Sequence, residues 1–101
     1  MTKLIEKAEN YVKQLLNEKL APEFLYHSYH HTIRVVEKTK EILEGIKIKD
    51  NESEALLLAA WFHDAGYTQS PHDHEKYSAD IATTFLTNEN ALLSLLLKLF
   101  N

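Results

Sequence analysis

Cysteine is absent from this 101-residue chain. Disulfides and thiolate metal sites are excluded with it. Glycine and proline occur only twice each, so few positions can break a regular element. An excess of positive charge is also missing. The formal net charge is −4 and the pI about 5.8, which leaves no electrostatic footprint for a nucleic-acid polymer or an anionic membrane. A phosphorylated small molecule stays open, because a bound cation reverses the local sign. No apolar run reaches the length of a membrane span. The longest, Ala91 to Phe100, is about half of one. The first residues, Met1 to Lys7, scatter charge where a signal peptide needs an apolar stretch. A cytoplasmic location is therefore expected. Apolar residues make up 45% of the chain, enough for one globular domain with a large share of its surface exposed.

The periodicity is helical nearly throughout, and no strand alternation, repeat or low-complexity segment interrupts it. Leu4, Ile5, Ala8, Tyr11, Val12, Leu15 and Leu16 predict a first helix over about 2–20, with Thr2 as its N-cap. Pro22 ends or follows that helix. A second is expected from about Ser28 to Glu44, with Val35, Val36, Thr39, Ile42 and Leu43 as its apolar stripe and Gly45 as its C-terminal cap. Ser53 or Asp50 would cap a third, running to about Asp64. Its run Ala55 to Phe62 is apolar almost all round, as a buried central helix requires. Residues 66–73 form the longest loop. A fourth helix covers about His74 to Leu86, with Tyr77, Ile81, Ala82 and Phe85 inward. Asn88 would cap a fifth, Glu89 to Phe100. The fold class is all-α, a bundle of about five helices.

Against that background one spacing carries chemistry. His31 is followed thirty-two residues later by the adjacent pair His63-Asp64. Imidazole and carboxylate together suit a divalent cation such as Mn, Fe, Zn, Mg or Ni. The pair ends a very apolar helix, where a carboxylate is costly unless paired, solvated or metal-bound. The plain alternative has Asp64 at the surface and His63 bonded to a backbone carbonyl. His27 lies four residues before His31, one helical turn away.

Three blocks in order sharpen the choice: Tyr26-His27-Ser28-Tyr29-His30-His31-Thr32-Ile33-Arg34-Val35-Val36, Ala59-Ala60-Trp61-Phe62-His63-Asp64-Ala65-Gly66-Tyr67, and His72-Asp73-His74-Glu75-Lys76-Tyr77-Ser78-Ala79. With them the chain resembles the HD superfamily of metal-dependent phosphohydrolases, and within it a bacterial branch of predicted HD-domain phosphohydrolases. The resemblance covers about Met1 to Leu86. It implies that His31, His63 and Asp64 are metal ligands. It puts Glu75 and His74 at the mouth of the site and His27 facing it. The family completes its metal set with an aspartate on a later helix. After the doublet this sequence offers only Asp73 and Asp80, and Asp80 is expected to face solvent. The resemblance thus implies the N-terminal portion of an HD domain, an apparently truncated one, with metal binding and activity impaired.

If the resemblance carries, a cation at His31, His63 and Asp64 would acidify water and polarise a phosphoryl oxygen. Asp64 would also position the attacking water. Glu75 or His74 would act as general acid or base. Arg34 or His27 would hold a non-bridging oxygen, and Tyr67 would line the pocket. The substrate implied is a phosphomonoester or phosphodiester, a nucleotide or cyclic nucleotide by class. The competing expectation is a non-catalytic metal-binding or helical interaction module. A homodimer is expected under either reading. Only Ser94 and Lys98 interrupt the apolar run Ala91 to Phe100, and a helix that apolar cannot bury all its faces against four others.

Overall fold

The computed structural model describes residues 2–20, 22–70, 72–92 and 95, with residues 22–27 described by backbone alone. Among the described residues the α-helices run in the order α1 (Lys3–Lys19), α2 (Pro22–Glu44), α3 (Asp50–Phe62) and α4 (His74–Asn88). A short 3-10 turn, Ala65–Thr68, joins α3 to α4. Among the described residues no strand occurs, and no helix is long and apolar enough to cross a membrane. The chain is all-α, as its periodicity requires.

Helix α1 begins where its cap dictates. Thr2 has extended backbone, and its hydroxyl accepts the Ile5 N–H at 3.1 Å, a bond of the kind that contributes about 1 kcal/mol. Ile5, Ala8, Val12 and Leu16 then recur at three- and four-residue steps and are buried. They meet Val36 of α2, Leu58, Ala60, Trp61 and Phe62 of α3, and Ile81, Phe85 and Leu86 of α4 in one core. Tyr11, Phe62 and Phe85 form an aromatic triangle, with ring centroids 5.2–6.1 Å apart. Trp61 and Phe62 are thus core residues.

Several boundaries depart from expectation. Helix α2 starts at Pro22, not at Ser28. Proline at the first helical position loses nothing, since its missing N–H would be unbonded there. Lys49, rather than Ser53 or Asp50, holds the N-cap position of α3 and offers no side-chain bond. Gly45 follows α2 and its N–H bonds to the Ile42 carbonyl, but its φ is negative. Ile42 is 63% exposed. It lies about 120° around α2 from Val36, off the line that reaches the core. Tyr77 is only half-buried, and Ser78 takes the inward position beside it.

Asn88 closes α4 instead of opening a fifth helix. The stop signal is Asn90, at φ 56°. Its N–H bonds to Thr87 O at 3.0 Å and that of Ala91 to Leu86 O at 2.8 Å, the paired bonds of a Schellman ending, for which asparagine is one of the two favoured residues. Most of the fifth helix expected over Glu89–Phe100 lies outside the described residues. Within them, Leu95 N–H bonds to Ala91 O and the Leu95 side chain is buried.

Candidate metal centre

Helix α3 ends beside the middle of α2, and this crossing builds the site. His31 projects from α2. His63 is the C-cap of α3, and Asp64 follows it. His31 Nε2 lies 3.1 Å from Asp64 Oδ2, and His63 Nε2 is also 3.1 Å from that oxygen. The two Nε2 atoms are 3.3 Å apart. Two imidazole nitrogens and a carboxylate oxygen thus make a nearly equilateral triangle. Among the described residues this is the cluster whose donors could share one cation.

The protonation of His63 follows from its other nitrogen. Nδ1 sits 2.7 Å from the Ala60 carbonyl, which can only accept, so Nδ1 carries the proton and donates it. Nε2 is left with its lone pair towards His31 and Asp64. The backbone bond expected of an ordinary core histidine is present. It is also the bond that orients a metal-ligating histidine. Donors at about 2.1 Å from a cation lie ~3.0 Å apart at right angles and ~3.4 Å apart at tetrahedral angles. Edges of 3.1, 3.1 and 3.3 Å fall between these limits. The donor set therefore fits a divalent cation. Side-chain exposure grades from 54% at His31 to 16% at Asp64, so the triangle is rooted in the core and open at α2.

The other sequence candidates have contacts of their own, apart from the three donor atoms. Tyr67, in the 3-10 turn, stacks on His74 with centroids 4.1 Å apart and planes 12° from parallel. His74 Nε2 is 3.5 Å from Glu75 Oε1. Glu75 itself is largely in solvent. Arg34 is exposed one turn along α2 from His31. The His27 side chain lies outside the described residues. Asp80 is exposed, as expected, and so are Asp73 and His72. Asp73 occupies the N-cap position of α4 without a side-chain bond.

Sequence reasoning passed over Ser78. This serine is buried on α4, and its hydroxyl bonds to both ends of the His63–Gly66 turn. Its signal was available. It stands at an inward position of α4, three residues before Ile81, where an apolar residue is the norm.

No curated protein and no solved structure matches the chain. The family model for the HD domain matches residues 28–100. That span takes in His31, on the helix before the central one, and the His63-Asp64 doublet at the central helix's end, the two halves of the triangle. The chain belongs to the HD domain family.

Proposed function

We propose that this chain is a metal-dependent phosphohydrolase acting on a phosphomonoester or phosphodiester, with nucleotides or cyclic nucleotides as the substrate class. The observation that carries the reading is the triangle of His31 Nε2, His63 Nε2 and Asp64 Oδ2, with His63 fixed in the ligand-competent tautomer by Ala60. Those three atoms would hold the cation, which supplies an acidified water and charge stabilisation at a phosphoryl oxygen.

The chain's own residues do the rest. With Oδ2 committed to the cluster, Asp64 Oδ1 accepts a hydrogen bond from the attacking water and aims it at phosphorus. Arg34 or His27, on the helix that bears His31, would hold a non-bridging oxygen. His74, stacked on Tyr67 and close to Glu75, delivers a proton to the leaving oxygen, and Glu75 orients it. Tyr67 forms a wall of the pocket through the ring face that His74 leaves uncovered.

The test pairs calorimetric titration with Mn2+, Co2+ and Ni2+ against hydrolysis of generic aryl phosphomonoesters and diesters. Metal binding with turnover, both lost in His31→Ala, supports the proposal. Metal binding without turnover favours a metal-binding module. Neither one leaves a helical interaction module.

A further inference from the structure

The hydroxyl of Ser78 bonds to the backbone on either side of Asp64. Ser78 lies on α4, fifteen residues from His63, and is 5% exposed. Its Oγ donates to the His63 carbonyl at 2.9 Å and accepts the Gly66 N–H at 2.8 Å. These two backbone groups bracket Asp64. One belongs to the peptide that leads into it, the other to the peptide two bonds beyond. His63 is the C-cap of α3, so its carbonyl is among the groups a helix end leaves without an internal partner. One buried hydroxyl therefore serves both sides of the turn.

We infer that Ser78 is a positioning residue for the His63–Asp64 ligand pair. It touches neither the triangle nor anything bound there. It fixes the His63–Asp64 peptide plane, and that plane sets the direction in which the Asp64 carboxylate leaves the backbone. The surroundings show how little slack the turn has. A Cβ built on Gly66 would run into the His74 carbonyl oxygen and would lie 2.6 Å from Ser78 N. The turn is thus held against α4 at backbone contact, and Ser78 is the hydrogen-bonding part of that contact. His63 is held from the other side by Ala60 O. Ser78 and Ala60 together define the position of the doublet, while His31 comes from a different helix and is more exposed.

The inference rests on the proposed metal role of the triangle. Its test is Mn2+ binding, without substrate, by the whole chain. Manganese is used because it does not favour sulfur ligands. Ser78→Ala should weaken Mn2+ binding by about 10–100-fold, the usual cost of losing a group that orients a ligand. Ile81→Ala, one turn along the same helix and buried, is the control. It should lower the melting temperature at least as much while leaving the affinity within about twofold, since it leaves the turn's bonds in place. Equal weakening in both variants would reduce Ser78 to a stability role and overturn the inference. So would native affinity in Ser78→Ala. Should Ser78→Ala fail to fold, the nearly isosteric Ser78→Cys is read by the same criterion. A native chain that binds no Mn2+ overturns the metal reading of the triangle, and this inference with it. Native binding that Ser78→Ala leaves unchanged overturns this inference alone.

Discussion

At its C-terminal end α3 passes into a turn in which His63, Asp64 and Gly66 are bonded to α4 and to one another's neighbours. At its N-terminal end Lys49 caps the helix without a side-chain bond. Around that end Ile42, Ile46 and Leu56 stand exposed. An open groove of about 420 Å³ runs there between α2 and α3, lined by Lys40, Leu43, Glu44, Ser53 and Leu57. Helix α3 is therefore tightly specified at one end and loosely at the other. The tight end carries the three donor atoms of the triangle. The loose end only has to connect two helices, and hydrophobic burial without geometric demand tolerates substitution.

Gly66→Ala attacks the tight end most directly. Its methyl group would meet backbone atoms of His74 and Ser78, which cannot rotate away as a side chain can. We expect a loss of about 3 kcal/mol or more, at the upper end for overpacking, together with loss of metal binding. Thermal denaturation by circular dichroism measures it. An unchanged melting temperature would mean the turn has slack.

Asp64→Asn separates the site from the fold. The side chain keeps its shape and loses its charge, so helicity should persist while Mn2+ affinity falls by about 100-fold, as expected when a first ligand's charge is removed. Calorimetry beside circular dichroism reads both. Retained affinity would show that Asp64 is not a ligand.

Self-association is the next effect in size, and it rests on the C-terminal apolar run. We propose that the chain forms a two-fold dimer, because an unpartnered leucine left in water forfeits roughly 1.5–3 kcal/mol and the run is rich in leucine. Sedimentation should show a dimer, and Leu93→Glu combined with Leu96→Glu should give a monomer. A concentration-independent monomer for the unmodified chain would refute it.

At the loose end, Ile42→Gln with Leu56→Gln should cost no more than about 1 kcal/mol, since Ile42 lies largely in water and Leu56 is 47% exposed. A large destabilisation would show that this end is better packed than its exposure indicates.

Lys13 sets the smallest effect. The neighbouring Tyr29 side chain, and then the Glu9 carboxylate that its ammonium bonds, raise its pKa from the ordinary 10.5. A base with a raised folded-state pKa contributes stability that is complete below the unfolded value. That stability fades as pH rises above 10.5 and through the folded value. The pair is solvent-screened, so the loss should stay under about 0.5 kcal/mol. Urea midpoints of the native chain and Lys13→Met, compared across that range, should converge at the alkaline end.

Much of this was legible in the chain itself. The repeats of Ile5, Ala8, Val12 and Leu16 announce α1 because a helix brings every third and fourth residue to one face. The three histidine-bearing blocks announce the HD family because their order and spacing are properties of the sequence. Helix endings were harder. Pro22 reads equally well as a stop for one helix or a start for the next, and Asn88 and Asn90 compete for the same turn. Only backbone conformation, with Asn90 at positive φ, decides between them.

What the sequence determined by itself was the helical class, the buried face of α1 and the candidate donors, since each depends on residue type and local spacing. What only the tertiary structure decided was whether His31 meets a doublet thirty-two residues away, which nitrogen of His63 is free to bind, and which buried hydroxyl holds the turn. Those outcomes depend on how α2 and α4 pack against the end of α3. Packing is settled by the sum of many contacts distant in sequence, and no local pattern records it.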